Sequence, residues 1–280
     1  MGTPFDIGVN SKMMEPVYQV VGDANWTSLR KILTLVRHLT WRSLASRYRG
    51  SALGFIWTLV NPIMLMFVYT FVFKVIFGQS SEDVPFEVYI MTGILAWNFF
   101  STAAIQASVS LVSGASLVNK STFPRIVLPV SAVLANAVNY LVALPLLFAF
   151  ILISGVHLTG YVLLLPLAFL LLTMMAIGLG AFLSSLMPFF MDLQHLIEVF
   201  FTMWFFLTPI VYKIGLIDNP KWRSWYDLNP MVGIIQFVHS VFLGQPLDVS
   251  TLLTSILGSL LILVIGLLIF RRLAPHCTEV

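Results

Sequence analysis

Asp192, His195 and Glu198 form the tightest group of ionisable side chains in a sequence that is otherwise poor in them. A spacing of three puts His195 and Glu198 on one face of a helix. Such a face can offer two ligands to a metal, or an acid and a base to a reaction. Two ligands do not complete a metal site, so the simpler reading is a pair of hydrated residues near a membrane boundary. No His-Glu-x-x-His and no Gly-x-Ser-x-Gly occurs in the chain, which argues against zincin-type proteolysis and a hydrolase elbow. One segment, 114–121, comes close to a phosphate-binding loop of the form G-x-x-x-x-G-K-[ST] through Gly114, Lys120 and Ser121. Asn119 stands at the second glycine, where backbone must approach phosphate closely, and the segment follows an apolar helix rather than a strand. The match reads as coincidence. If ATP drives this protein, another chain must bind it.

The elements that carry these residues are set by composition. Of 280 residues, 59% are hydrophobic and 10% charged, with a mean hydropathy of +0.94. A soluble domain needs more charge to cover its surface. A crossing needs roughly 20 apolar residues, and runs at 55–77, 86–112, 126–154, 161–186, 196–212 and 252–270 qualify. The fold class expected is therefore an all-α membrane protein with about six transmembrane helices. Pro62, Pro145 and Pro166 fall inside these runs, as membrane helices tolerate. Residues 28–49 differ: Leu29, Ile32, Leu33, Val36 and Leu39 recur at helical spacing, with Arg30, Arg37 and Arg42 on other faces. This pattern suits an amphipathic interfacial helix. Residues 213–251 mix charge with apolar pieces at 231–237 and 238–243, each too short to cross, that would dip in and return or lie at the surface.

Orientation follows from the basic residues. With the N-terminus placed in the cytoplasm, only Lys74, Lys213, Lys221 and Arg223 of the 15 Lys and Arg fall outside. Both termini are thus expected in the cytoplasm. The first 25 residues lack an apolar h-region, which argues against a cleaved secretory signal. Lys74 is the main ionisable group near membrane depth, placed where it can snorkel, so a proton-driven carrier lacks its usual relay. The single Cys277 sets no disulfide framework.

Aromatic residues are abundant, with 23 Phe, 8 Tyr and 7 Trp. Trp97, Phe99 and Phe100 suit packing inside a bundle, whereas Trp222, Trp225 and Tyr226 suit an outer interface. Phe200, Phe201, Trp204, Phe205 and Phe206, with Tyr69, are dense enough to line a path for sugars, whose C–H faces stack on aromatic rings. Lipid contact and helix packing explain the same residues, and periodicity does not choose between the two.

A more specific pattern begins at Arg47-Tyr48-Arg49-Gly50-Ser51-Ala52-Leu53-Gly54 and continues through Trp57 to Asn61-Pro62. It resembles the signature of permease subunits of type-2 ABC exporters of polysaccharide, the group that handles O-antigen, capsule and teichoic acid chains. The likeness continues in Phe123-Pro124-Arg125, Leu128-Pro129, Thr208-Pro209 with Val211-Tyr212, and Asn229-Pro230-Met231, and runs from about Leu29 to Phe270. Where relatives commonly carry a basic residue before the aspartate of the fifth span this chain has Met191, and Gln236 stands where an acidic residue is common.

The resemblance implies a division into an N-terminal cytoplasmic segment (1–27), an interfacial helix (28–49), a transmembrane domain (50–272) and a cytoplasmic tail (273–280). It implies an ATPase-coupling segment with Asn119, Lys120, Phe123, Pro124 and Arg125. Arg47, Tyr48, Arg49, Gly54, Asn61 and Pro62 would form the elbow into the membrane. Arg47 and Arg49 would either contact a lipid head group or serve as positive-inside anchors. An outer gate would include Trp222, Trp225, Tyr226, Asn229 and Pro230.

The expected protein is the non-enzymatic membrane half of an exporter of lipid-linked polysaccharide, O-antigen first, in a bacterial inner membrane. Its partners would be a second copy of itself and two copies of a P-loop ATPase that binds ATP and Mg; no nucleic acid, metal or cofactor of its own is expected. Competing readings are export of capsule or teichoic acid, a polytopic enzyme on lipid-linked sugars using Asp192, His195 and Glu198, a secondary carrier, and a small-molecule ABC permease.

Overall fold

The computed structural model describes residues 29–48, 56–78, 84–118, 123–190, 192–212, 219 and 225–278, and among these every regular element is helical. In chain order they are α1 Leu29–Tyr48, α2 Trp57–Thr70 with a π-helical continuation Phe71–Ile76, and α3 Phe86–Ser108. Two single turns follow, α4 Ser110–Ser113 and α5 Ala115–Val118, and then α6 Val127–Ile153 and α7 Leu165–Leu186. The chain closes with α8 Leu193–Phe206, α9 Pro230–Leu243 and α10 Val249–Leu273. Five helical stretches among the described residues are long and apolar enough to cross a bilayer: Leu59–Ile76, Phe86–Ser108, Val127–Ile153, Gly160–Leu186 and Val249–His276.

Helix α3 is the hub, touching α2, α6, α7, α8 and α9. Its apolar window is 83% buried, against 17% for α10. Small side chains allow this central position, since Ala96, Ala103, Ala104 and Ala107 are enclosed by neighbouring helices. Helix α7 packs closely against α10. A Cβ on Gly266 would lie 2.0 Å from the Gly178 carbonyl oxygen, and one on Gly178 would lie 2.6 Å from the Leu263 Cα. Between membrane helices such backbone proximity supplies dispersion contact that lipid cannot match.

Local chemistry fixes the helix ends. At α9, the Asn229 side chain caps the Met231 N–H, Pro230 takes the first turn, and Gly244 ends the helix at φ +68°. Proline first and a left-handed glycine last is the favoured asymmetry. Pro166 lies in the first turn of α7, after a 3₁₀ turn over Gly160–Leu164; there its missing N–H costs nothing. The second crossing ends at Ser108 and, after a break at Val109, continues as the single turn α4 that includes Val112.

Two further expectations change. The 196–212 run folds as the 14-residue α8, followed by turns through Tyr212. At about 21 Å it does not by itself bridge a core of roughly 30 Å. Pro209 breaks the ladder there, and the Ile210 N–H turns back to the Thr208 carbonyl at 2.8 Å. The pieces at 231–237 and 238–243 are one helix, α9, and of the two placements expected for them the one at the surface does not hold. The helix lies against α3, α7 and α10 with Met231, Ile234, Val238 and Phe242 wholly buried.

Candidate functional site

The basic end of the bundle is built on a small apolar cluster. Leu35 and Leu39 of α1 pack with Leu111, Leu117, Phe123 and Phe270, which joins α1, the segment after α3 and the end of α10. Of the expected coupling residues, Phe123 is buried in this cluster and Arg125 donates from Nη1 to the Ala274 carbonyl. Pro124 is half-buried beside them. Asn119 and Lys120 lie outside the described residues. The described part of the 114–121 segment is helical, with the Gly114 and Leu117 amides donating to the Ser110 and Gly114 carbonyls at 3.0 and 2.9 Å. Amides engaged in this way do not cradle a phosphate.

Arg47, at the end of α1, reaches between two spans. Its Nη1 donates to Asn136 Oδ1 on α6 at 3.0 Å, and its Nη2 to Gln106 Oε1 on α3. Asn136 Nδ2 in turn donates to Gln106 Oε1 at 3.0 Å and to the Ala132 carbonyl at 2.8 Å. A planar guanidinium with fixed donors suits this three-helix junction better than a lysine would. Gln106 and Asn136 are site residues that motif reading misses; the available signal was an amide inside an apolar run, where unmet hydrogen bonds are costly. Tyr48 closes α1, Arg49 and Gly54 fall outside the described residues, and on α2 Asn61 is exposed while Pro62 is buried.

In mid-bundle the aromatic residues of α8 divide by face. Phe201 and Phe205 are buried against α3, where Trp97 lies 6.3 and 5.8 Å from their rings. Trp204 is half-buried, 5.4 Å from Phe100. Tyr69 of α2 stacks on Phe205 at 5.3 Å, which joins α2 and α8 into one flank. Phe200 and Phe206 point away from the bundle.

At the opposite end, α8 is tied to α9. Trp204 Nε1 donates to Asn229 Oδ1 at 3.0 Å, the same oxygen that caps α9. Asn229 Nδ2 donates to the Leu207 carbonyl and to Thr208 Oγ1 at 3.3 and 3.4 Å. The Tyr212 hydroxyl donates to the Phe206 carbonyl at 2.9 Å and lies 3.0 Å from the Tyr226 hydroxyl. Tyr89 donates to the Tyr212 carbonyl at 3.1 Å and stacks on the buried His239 with ring centres 4.0 Å apart. Of the expected gate residues, Tyr226, Asn229 and Pro230 enter this network region, Trp225 is exposed, and Trp222 lies outside the described residues. His239 gave no signal in sequence, being a lone histidine in an apolar run.

The other ionisable residues sit apart from these networks. Asp192, His195 and Glu198 are all exposed on or beside α8, and Glu198 accepts a 3.4 Å bond from Gln194. Lys74 pairs with Glu87 at 2.5 Å. Among the described residues no three His, Cys, Asp or Glu side chains converge as metal ligands. Among the described residues the geometry is one of helix junctions and aromatic packing.

A family model described as ABC-2 type transporter matches residues 34–243. The O-antigen export system permease protein RfbA of Myxococcus xanthus is 34% identical over 209 residues, covering 74% of this chain and 80% of that protein. An O-antigen export system permease protein RfbA of Klebsiella pneumoniae is 26% identical over 255 residues, 90% of this chain and 97% of its own. The polysialic acid transport protein KpsM of Escherichia coli is 21% identical over 243 residues, 84% and 92% of the two chains. The matched region takes in α1 from its second turn, the Arg47 junction, the α8 flank and all of α9. The chain belongs to the ABC-2 type transporter family of membrane proteins.

Proposed function

We propose that this protein is the membrane-spanning permease of an ATP-driven exporter that moves a lipid-linked polysaccharide, O-antigen foremost, out of the cytoplasm across a bacterial inner membrane. The named relatives act in O-antigen and polysialic acid export, and this chain aligns with them over most of its length. The carrying observation is the flank formed by α2 and α8, joined by the Tyr69–Phe205 stack. It presents Phe67 and Phe71 from α2, and Leu196, Phe200 and Met203 from α8, as exposed apolar side chains. A second copy applied to this flank by a twofold axis would enclose a path between protomers, with aromatic faces for sugar rings. Export of capsule or teichoic acid would use the same architecture.

Power comes from a separate P-loop ATPase in two copies, which would hold ATP and Mg. Its contact would be the segment around Phe123, Pro124 and Arg125, with Asn119 and Lys120. The basic end would face the cytoplasm, with both termini there and α1 lying in the interface. Motion of the ATPase would reach the spans through the Arg47 junction, which supports a positioning role for Arg47 in place of a head-group contact.

Reconstitution tests the reading. In vesicles the chain together with its ATPase should hydrolyse ATP and translocate lipid-linked polysaccharide, and the chain alone should do neither. ATP hydrolysis or transferase turnover by the chain alone, or transport that persists without ATP, would overturn it.

A further inference from the structure

A trough of about 740 Å³ runs between α1 and α6. Its walls are Trp41 and Leu44 of α1, Leu134, Val138 and Leu141 of α6, and Phe169 of α7. Arg37 and His38 sit at its α1 side. On α6 its lining runs from Leu134 to Leu141, a rise of about 10 Å that begins about 10 Å in from the helix start at Val127, and on α1 it runs from Leu33 to Leu44. None of its lining residues belongs to α2 or α8, which places it off the flank assigned above to transport.

Charge selects the occupant. Helix α1 carries Arg30, Lys31, Arg37, Arg42 and Arg47 and no Asp or Glu, and α6 has no charged residue at all. Among the described residues, neither Arg37 nor His38 has a hydrogen-bond or ion-pair partner. Trp41, 71% exposed, is the kind of amphipathic ring that settles at head-group depth. An apolar slot open towards the bilayer, with an unneutralised guanidinium on its α1 wall, matches a molecule that has a hydrocarbon tail and a phosphate. We propose that this trough holds an anionic glycerophospholipid of the surrounding bilayer, one acyl chain against Leu134, Val138 and Leu141 and its phosphate on Arg37. The lipid is a structural ligand that seats α1 against α6; it is not cargo. Charge-assisted, bidentate bonding from Arg37 supplies head-group contact, and burial of the chain supplies the rest.

The test is native mass spectrometry of the delipidated full-length protein with added phosphatidylglycerol or phosphatidylcholine. The expected result is preferential retention of phosphatidylglycerol. Arg37→Gln should weaken that retention by about fivefold, the worth of one basic residue at a lipid surface, and leave phosphatidylcholine unchanged. Val138→Trp, at a wall position that is 38% exposed, should fill the trough and remove both lipids. Arg271→Gln, at the basic end but outside the trough, should keep wild-type retention. Should Val138→Trp fail to fold, Arg37→Gln decides alone. Equal retention of the two lipids, or unchanged phosphatidylglycerol binding in Arg37→Gln, would sink the proposal. So would displacement by a polyprenyl phosphate, which would make the trough a cargo site, or a gain in lipid on deleting residues 1–27, which would make it the seat of that segment.

Discussion

Arg47 Nη1 at the end of α1 lies 3.0 Å from Asn136 Oδ1 on the packed face of α6, and Asn136 shares the acceptor Gln106 Oε1 with the same arginine. One guanidinium thus links a helix outside the bundle to two helices inside it. Arg47→Ala leaves the buried Asn136 Oδ1 unmet and takes from Gln106 Oε1 one of its two donors, at about 1–3 kcal/mol before relaxation. The expected outcome is a lowered thermal unfolding midpoint in detergent and loss of export, with ATPase association retained. Because the three side chains act together, Arg47→Ala and Asn136→Ala should cost less in combination than the sum of the two alone. Additive losses would show that the junction does not act as a unit.

The bond from Trp204 Nε1 to Asn229 Oδ1 makes a second prediction. Trp204→Phe keeps an aromatic ring and removes one donor, costing about 1 kcal/mol. Asn229→Ala removes the α9 cap together with the Leu207 and Thr208 contacts, and should cost about 2 kcal/mol or more. Hydrogen exchange of the first α9 turn should rise more in Asn229→Ala than in Trp204→Phe. The reverse order would separate the cap from the tie.

Gly266 faces the Gly178 carbonyl so closely that any Cβ would overlap it, at 2.0 Å. Gly266→Val and Gly178→Val should each destabilise by more than about 3 kcal/mol, the upper range for overpacking, and be lost during expression. Gly160→Ala, where a new Cβ meets nothing within 4 Å, should accumulate as wild type. Normal yield of Gly266→Val would mean that α7 and α10 do not cross there.

At the start of α10, Asp248 accepts bonds from the Ser250 and Thr251 hydroxyls, both at 2.7 Å, and from their backbone N–H groups. Hydrogen bonds from Ser250 and then Thr251 hold its carboxyl at about 2, below the ordinary carboxylate value. A folded value below the unfolded one means that this stabilisation is complete above about pH 4. It fades as pH falls from there through about 2. Exchange at the first turn of α10 should therefore quicken over that window, after correction for intrinsic rates. Asp248→Asn, which still caps but does not titrate, should show a flat profile.

Much of this architecture is legible in the amino-acid order. Long apolar runs are a one-dimensional signal, so the crossings that begin at 86, 127, 160 and 249 are found to within a few residues. The Arg47 motif falls where α1 meets two spans. Its partners are hidden. Gln106 and Asn136 are brought together by the crossing of α3 and α6, a tertiary event that no local pattern encodes. The same holds for α9: its residues read as short pieces that dip in and return or lie at the surface, and only the three surrounding helices decide for the interior. Which face of α8 is packed is likewise set by α3, through Trp97 and Phe100, rather than by the spacing of its phenylalanines.

The enclosure of α3 has a consequence for how the chain is made. This helix has the lowest hydropathy of the five crossing stretches, 1.5, and carries Thr92, Asn98, Ser101 and Gln106. Shielded on nearly every side, it has no need to be greasy; alone in lipid it would be a poor solute. Ribosomes deliver it well before α6 and α7, so its safe arrival depends on partners not yet synthesised. Truncated nascent chains ending ahead of those partners are the forms most exposed to quality-control proteases.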